Sequence, residues 1–193
     1  VTRDLLDAAG VTLVDRIDDL LPVANTLSKQ QILPTGRVLV LTDGGGHGTI
    51  AADLLDEAGI TLASLSEPEK QELHKRFPGL SIGNPMDLAG IADQEPKLFA
   101  ELIQFLLASD NIDGLIWVGL FGGYHIRFDS SLLDSELQAV DQIIDLQKEH
   151  SKPILLHSVY RVQESPVLQK WSEAGLTLFG TIDAATRAKK ALI

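Results

Sequence analysis

The stretch RVLVLTDGGGHGTIAADLLDEAGI, residues 37–60, decides the fold. It begins with the apolar run VLVL at 38–41, passes through three consecutive glycines, a histidine and a fourth glycine, and ends in a helical pattern of apolar side chains. An apolar run that does not alternate with polar residues indicates a strand that is buried on both faces. A strand, a glycine-rich turn and a helix in this order predict the first βα unit of a parallel sheet.

The same alternation of short apolar runs and helical stripes continues along the chain. The further apolar runs are ITLASL at 60–65, GLIWVGLF at 114–121, PILLHSV at 153–159 and LTLF at 176–179. One of the helical stripes between them consists of Leu133, Leu137, Val140 and Ile144. We therefore predict an α/β fold, a flavodoxin-like doubly wound parallel sheet of five strands with helices on both faces. Such sheets bind ligands at the carboxyl ends of their strands.

Composition excludes several classes of function. The 193-residue chain has a net charge of −11, which argues against nucleic acid as a partner. It has no cysteine, which removes disulfides, thiol nucleophiles and thiolate metal sites. Its apolar runs are too short to cross a bilayer, so we expect no membrane partner. The histidines and acids have no metal-ligand spacing, and we predict no metal site. With no targeting sequence visible, we expect a cytoplasmic protein.

The first residues of the chain resemble the last ones. AAGVTLVDRIDDLLPVANTL at 8–27 is similar to EAGLTLFGTIDAATRAKKAL at 173–192, and the second copy closes the domain with a strand and a helix. The first copy has no domain before it to close. We therefore predict that residues 1–30 are a strand-helix tail of a preceding domain and that residues 31–193 are the flavodoxin-like domain. A common helix-turn-strand pattern remains the alternative, since AGITL recurs at 58–62.

The glycine loop follows the first strand and opens the first helix of the sheet. Backbone N–H groups at a helix N-terminus have no helical acceptor, and the helix dipole favours an anion there. Glycines let that anion approach closely. We therefore predict that the loop binds an anion through its backbone N–H groups. A turn that needs glycine for packing alone is the alternative.

Two nucleotide-binding motifs were compared with the loop. Gly46, Gly48 and Ala51 match the spacing of the dinucleotide fingerprint, but no acid at the end of the second strand completes it. The nearest acids lie in SEPE, where Ser66 and Glu69 instead predict a helix capping box. No lysine follows the glycines, which excludes a P-loop.

Two further loops are predicted at the same edge of the sheet. SIGNPMDLAG at 81–90 combines a proline-stiffened turn with polar side chains, and LFGGYHIRFD at 120–129 follows the third long apolar run. Three special loops at one edge indicate a site. The residues predicted to line it are Asn84, Asp87, Gly122 and Gly123.

Together these loops resemble a known family. TDGGGHGTIAADLLDEAGI, SIGNPMDLAG, DNIDGLIWVGLFGGYHIRFD and the carboxyl-terminal segment are similar to the succinyl-CoA-synthetase-like flavodoxin domain of NDP-forming acyl-CoA ligases, which include the ADP-forming acetyl-CoA synthetases. GNPMD corresponds to GNPVD in the latter, and LFGGYHIRFD resembles the IFGGI stretch of the succinyl-CoA synthetase β subunit. The resemblance runs from about residue 30 to the end of the chain.

The resemblance implies a mechanism. In this family an acyl-CoA and phosphate give an acyl phosphate, whose phosphoryl group passes to a histidine on a mobile loop and then to ADP or GDP in an ATP-grasp domain. It implies that Gly122 and Gly123 line the same edge and that Asn84 and Asp87 shape the neighbouring loop. The residues whose backbone N–H groups it implies to bind phosphate are Gly45, Gly46, His47 and Gly48. No residue of this chain is implied to be catalytic.

The resemblance also implies what lies outside this chain. CoA, ATP or ADP, and Mg would serve the full enzyme, with no cofactor in this domain. The implied partners are CoA-binding, phosphohistidine and ATP-grasp domains of the same or a partner chain. We expect the isolated chain to be inactive.

The histidines depart from the family pattern. The family often has proline where this chain has His47. Its phosphorylated histidine lies in a GHAG motif of another domain, whereas LLHSVYRVQES at 155–165 has no such motif. We therefore predict a structural role for His157, and His125 is left open between a structural and a functional role.

Two alternative functions remain open at this point. One is a ligase-like domain that senses ligands in a protein lysine acetyltransferase. The other is a free-standing nucleotide-binding protein of the flavodoxin-like class, either an oxidoreductase or a regulator.

Overall fold

The computed structural model describes residues 2–14, 16–29, 36–91 and 95–192, and these residues contain one parallel sheet. Its strands are β1 (Val38–Thr42), β2 (Met86–Asp87), β3 (Gly114–Gly119), β4 (Ile154–Ser158) and β5 (Leu178–Phe179). Their order across the sheet is β2-β1-β3-β4-β5, and every neighbouring pair is parallel. This is the flavodoxin-like order, so the predicted fold class is confirmed.

Helices connect the strands and cover both faces of the sheet. They are α1 (Thr2–Ala8), α2 (Leu20–Lys29), α3 (Gly45–Glu57), α4 (Glu67–Arg76), α5 (Leu98–Ala108), α6 (Tyr124–Arg127), α7 (Leu133–Glu149), α8 (Pro166–Glu173) and α9 (Ile182–Lys190). Short 3-10 turns occur at Ile17–Asp19 and Ser130–Leu132. The predicted capping box is confirmed at the start of α4, where the Ser66 N–H donates to the Glu69 carboxylate at 2.7 Å.

The core has two layers, one on each face of the sheet. In β1, Leu39 and Leu41 belong to the layer formed with α5, α7 and α8, whereas Val38 and Val40 belong to the layer formed with α3 and α9. All four side chains are at most 1% exposed. Both faces of β1 are therefore covered, which explains why its sequence is apolar without alternation.

The prediction of a strand at 60–65 is wrong, because this run forms a single bridge and no strand. Within that run only Leu62 forms a bridge, to Val38 at the beginning of β1. The place beside the end of β1 belongs instead to β2, which has two residues. Between Leu62 and β2, the Asn84 side chain forms hydrogen bonds with the backbone of Val38 and Val40, which a longer neighbouring strand would have paired.

The amino-terminal tail packs outside the sheet. Helix α2 lies against α9, and Asp19 forms an ion pair with Arg187, whose Nε lies 2.5 Å from the carboxylate. Residues 11–14, where the predicted strand-helix tail would have its strand, form no strand and line a cleft of about 550 Å³ against α3 and α9. The predicted boundary between residues 30 and 31 lies outside the described residues.

Candidate functional site

The glycine loop lies at the carboxyl end of β1, as the sequence predicts. The loop turns through Asp43, and Gly44 is the N-cap of α3, which begins at Gly45. The hydroxyl of Thr42, the last residue of β1, contacts the backbone N of Gly44 at 3.2 Å and its carbonyl oxygen at 3.0 Å. These contacts fix the entry into α3 and direct its N-terminus toward the carboxyl edge of the sheet.

Only part of the loop offers free backbone donors. The N–H groups of His47 and Gly48 donate to the Gly44 carbonyl at 2.9 and 3.2 Å. The prediction that these two amides bind phosphate therefore needs correction, because the helix itself already occupies them. Gly45 and Gly46 are the first two residues of α3, so their N–H groups have no helical acceptor, and both residues are exposed. The candidate anion site is therefore this pair of amides.

The glycines of the loop serve two different purposes. A Cβ on Gly48 would lie 2.8 Å from Thr42 Cγ2 and 3.1 Å from Pro85 Cβ, so glycine is needed there for packing. A Cβ on Gly46 would meet no atom within 4 Å, so packing does not require glycine there. At Gly46 a side chain would occupy only the open space in front of the candidate anion site.

Asp43 joins the glycine loop to the loop that follows β3. Its carboxylate accepts hydrogen bonds from the Leu120 N–H at 2.8 and 3.0 Å and from the Tyr124 hydroxyl. Gly119 has a φ of +144°, and a Cβ there would lie 1.7 Å from Asp43 Oδ1. Burial raises the pKa of Asp43 to about 6, although the hydrogen bonds from Tyr124 and Leu120 oppose the shift. Sequence reasoning missed Asp43, although an acid directly after a buried strand was a usable signal.

The loop that contains Gly122 and Gly123 is held by the buried carboxylate of Glu136. Glu136 Oε1 accepts from the N–H groups of Gly122 at 2.9 Å and Tyr124 at 3.1 Å, and Oε2 accepts from the His125 N–H at 3.0 Å. The Glu136 side chain is completely buried and also lies 2.5 Å from His125 Nδ1. The Gly123 N–H donates to a backbone carbonyl. The backbone donors of this loop are therefore used inside the protein, and His125 has a structural partner.

Asn84 lies beside the middle of β1 and not at the glycine loop. Its Oδ1 accepts from the Val40 N–H at 2.9 Å, and its Nδ2 donates to the carbonyls of Val38 at 2.7 Å and Ala63 at 3.0 Å. The side chain thus replaces strand pairing at this edge.

Asp87 is the predicted lining residue that lies next to the candidate anion site. Its Oδ1 accepts from the Ala89 N–H at 2.9 Å, and its Oδ2 would lie 3.4 Å from a Cβ on Gly45. A carboxylate this close to Gly45 repels an anion that is bound at the Gly45 amide. Since residues 43–49 contain no lysine or arginine, attraction for an anion rests on the two amides and the dipole of α3.

Two histidines meet beside the start of α3. His157 lies in β4, and its ring centroid is 6.3 Å from that of His47. His157 is 6% exposed, and its Nδ1 has no hydrogen-bond partner among the described residues. Burial, and secondarily the charge that His47 can carry, lower the pKa of His157 to about 4. Sequence reasoning gave His157 a structural role only, and nothing in the sequence indicated that the two rings would be neighbours.

The arrangement defines a flavodoxin-like domain with a candidate anion site at the first βα turn. In the part of the chain that the structure covers, no group of three or more His, Cys, Asp or Glu side chains is arranged to hold a metal ion. Nor do the described helices include one long and apolar enough to cross a membrane. No protein-family model matches the chain.

Two curated proteins with similar sequences indicate which class of protein this chain resembles. The α subunit of ADP-forming acetate–CoA ligase II from Pyrococcus furiosus is 29% identical over 149 residues, which are 76% of this chain and 31% of that subunit. ADP-forming acetate–CoA ligase I from Archaeoglobus fulgidus is 31% identical over 106 residues, 54% of this chain and 15% of the relative. These relatives confirm the resemblance to a domain of NDP-forming acyl-CoA ligases. The chain spans less than a third of either relative's length.

Solved structures support the same conclusion about the fold. PH0766 from Pyrococcus horikoshii OT3 matches with a TM-score of 0.82 and 25% identity, covering 99% of this chain and 42% of that one. The apo form of the dinucleotide-forming acetyl-coenzyme A synthetase 1 of Ca. Korarchaeum cryptofilum matches with a TM-score of 0.79 and 22% identity, covering 99% of this chain and 40% of that one. The latter likeness concerns the fold alone.

Proposed function

We propose that this chain is one domain of an NDP-forming acyl-CoA ligase and that its glycine loop holds the phosphoryl group in transit. The full enzyme would convert acyl-CoA, ADP and phosphate to the acid, CoA and ATP through an acyl phosphate and a phosphohistidine. The observation that carries the proposal is the pair of open amides at Gly45 and Gly46, at the carboxyl edge of a domain whose relatives are ADP-forming ligases.

The physics of the site fits a group that another domain delivers. Two amides and a helix dipole, opposed by Asp87, give weak binding of free phosphate, about 1 mM or roughly 4 kcal/mol. A phosphoryl group on a tethered histidine reaches a much higher effective concentration at the loop. Weak intrinsic binding then suffices, and it also allows rapid release.

The remaining functions of the enzyme would lie on other domains. The match to only 31% and 15% of two relatives supports CoA-binding, phosphohistidine and ATP-grasp domains as partners in the same or another chain. CoA, ATP or ADP, and Mg would bind there, in a cytoplasmic enzyme. Relatives named for acetate, 4-hydroxybutyrate and trans-ferulate all match this chain, which supports placing the choice of acid outside it.

An amide NMR titration with inorganic phosphate tests the role of the loop. We expect the Gly45 and Gly46 resonances to shift before those of any other residue. Gly46→Val should abolish these shifts and leave the fold intact, because a Cβ there meets no protein atom within 4 Å.

Gly83→Val is the matched control for this titration. A Cβ on Gly83 meets only the Pro85 carbonyl oxygen, at 3.6 Å, and the residue lies outside the loop. This variant should keep the phosphate response. If saturating phosphate moves neither Gly45 nor Gly46 in the unaltered chain, the loop serves packing only and the proposed role fails.

A further inference from the structure

One buried nitrogen near the candidate anion site, His157 Nδ1, has no hydrogen-bond partner among the described residues. In the described part of the chain, three buried side-chain polar atoms lack a hydrogen bond: Trp117 Nε1, Lys189 Nζ and His157 Nδ1. Of these, only the His157 nitrogen is near the candidate anion site, because its ring neighbours that of His47 in the first turn of α3. A buried polar atom without a partner costs free energy and therefore needs an explanation.

Two polar side chains at this edge of the sheet, Ser158 and Asp43, already have hydrogen-bond partners. The Ser158 hydroxyl donates to the Phe121 carbonyl at 2.7 Å, and the Asp43 carboxylate is occupied by Leu120 and Tyr124. These two side chains are therefore hydrogen-bonded, whereas His157 Nδ1 is not. We conclude that the missing partner of His157 comes from outside this set of residues.

The His157 ring lies beside His47, a residue of the glycine loop. His157 is on the same strand face as Leu155, which packs in the layer formed with α3 and α9. The centroids of its ring and the His47 ring are 6.3 Å apart at an angle of 49°. Rings at this separation do not bond to each other, whereas one oxygen atom at about 2.8 Å from a nitrogen of each ring bridges them.

We propose that His157 is a phosphate-contacting residue, whose Nδ1–H donates to an oxygen of the phosphoryl group that the Gly45 and Gly46 amides hold. His47 then forms the wall of the site between β4 and the start of α3. This inference rests on the proposed function and adds a side-chain donor to a loop that has only backbone donors. In the complex, His157 Nδ1 must carry a proton.

The chemistry suits a neutral imidazole. Since burial lowers the pKa of His157, the ring of the free protein is neutral near pH 7 and has one N–H and one lone pair. With the proton on Nε2, the unpartnered Nδ1 presents a lone pair, and an arriving phosphoryl oxygen favours the form with the proton on Nδ1. A purely structural ring would have no reason to change its protonation pattern when phosphate binds.

The test follows the ring nitrogens of ¹⁵N-histidine-labelled chain during titration with inorganic phosphate. We expect His157 Nδ1 to change from the unprotonated to the protonated type, with the same midpoint as the Gly45 and Gly46 amide shifts. His157→Leu, which fills a similar volume and removes the unpartnered nitrogen, should remain folded and raise the midpoint about fivefold or more. His157→Asn, which retains a donor, should raise it less.

A control variant separates this effect from a general loss of a histidine. His74→Leu changes an exposed histidine in α4 and should leave the phosphate midpoint unchanged. If the Gly45 and Gly46 amides shift while His157 Nδ1 does not and His157→Leu keeps the midpoint, the inference is overturned and the proposed function stands. If the amides do not shift, both fail, even if the His157 ring responds alone.

Discussion

Asp43 makes the stability of the domain depend on pH. Its carboxylate joins the glycine loop to Leu120 and Tyr124, and burial raises its pKa from the ordinary 3.8 to about 6. Between these two pH values the folded chain binds more protons at this residue than the unfolded chain does. The contribution of Asp43 to stability is therefore fully present below about pH 4 and is lost as the pH rises through about 6.

This sign gives a prediction for Asp43→Asn. The unaltered chain should lose about 2 kcal/mol of unfolding free energy relative to the variant between pH 4 and pH 7, because only the unaltered chain must ionise a buried carboxyl. Urea unfolding at four pH values in this range measures the difference. Asp53→Asn, at an exposed position of α3, should give no such trend. Parallel pH curves for Asp43→Asn and the unaltered chain would contradict the prediction.

At the residue scale, sequence predicts the loop better than it predicts the groups around the loop. The glycines are adjacent along the chain, so their pattern is visible, and the rule for helix N-termini locates the donors. The contacts of Asp43 with Tyr124 and of His157 with His47 join distant segments. They depend on the register of β1, β3 and β4, which a single sequence does not reveal. The engagement of the Gly48 amide follows from where α3 begins, the kind of boundary that sequence patterns locate poorly.

At the element scale, a side chain replaces part of a strand. The run at 60–65 has the composition of a buried strand, yet Asn84 provides the donors and acceptor that the edge of β1 needs. The parallel sheet was nevertheless predictable, because the apolar runs of β1, β3 and β4 do not alternate with polar residues, which indicates strands buried on both faces. Strands of two residues such as β2 have no periodicity to detect.

Removing the Asn84 side chain tests its role. Asn84→Ala would leave two backbone carbonyls and one N–H of the described structure without this partner, and we expect a loss of about 2–3 kcal/mol of unfolding free energy. Gln169→Ala is the control, since the exposed Gln169 side chain donates to Glu173 one helical turn away, at 2.7 Å, and its loss should cost less than about 0.5 kcal/mol. Equal losses in urea unfolding of the two variants would mean that Asn84 does not replace strand pairing.

At the scale of the whole molecule, the tail carries exposed apolar surface. Leu5, Ile17 and Leu21 are 66%, 80% and 78% exposed, respectively. The same segment is attached to the domain by the ion pair between Asp19 and Arg187 and by the packing of α2 on α9. The tail is therefore fixed to the domain while three of its large apolar side chains remain exposed to solvent.

The proposed distribution of the enzyme's sites over several domains predicts how the isolated chain behaves. The site has two open amides and no lysine or arginine in its loop, and the proposed phosphohistidine and nucleotide sites lie on other domains. We therefore predict that the purified chain forms no ATP from acetyl-CoA, ADP and phosphate, although it gives the phosphate-induced amide shifts. A coupled ATP assay measures this, with the complete ADP-forming acetate–CoA ligase II of Pyrococcus furiosus as the positive control. ATP formation that requires all three substrates, from the purified chain alone, would show that the chain contains a complete catalytic site and would refute the division into domains.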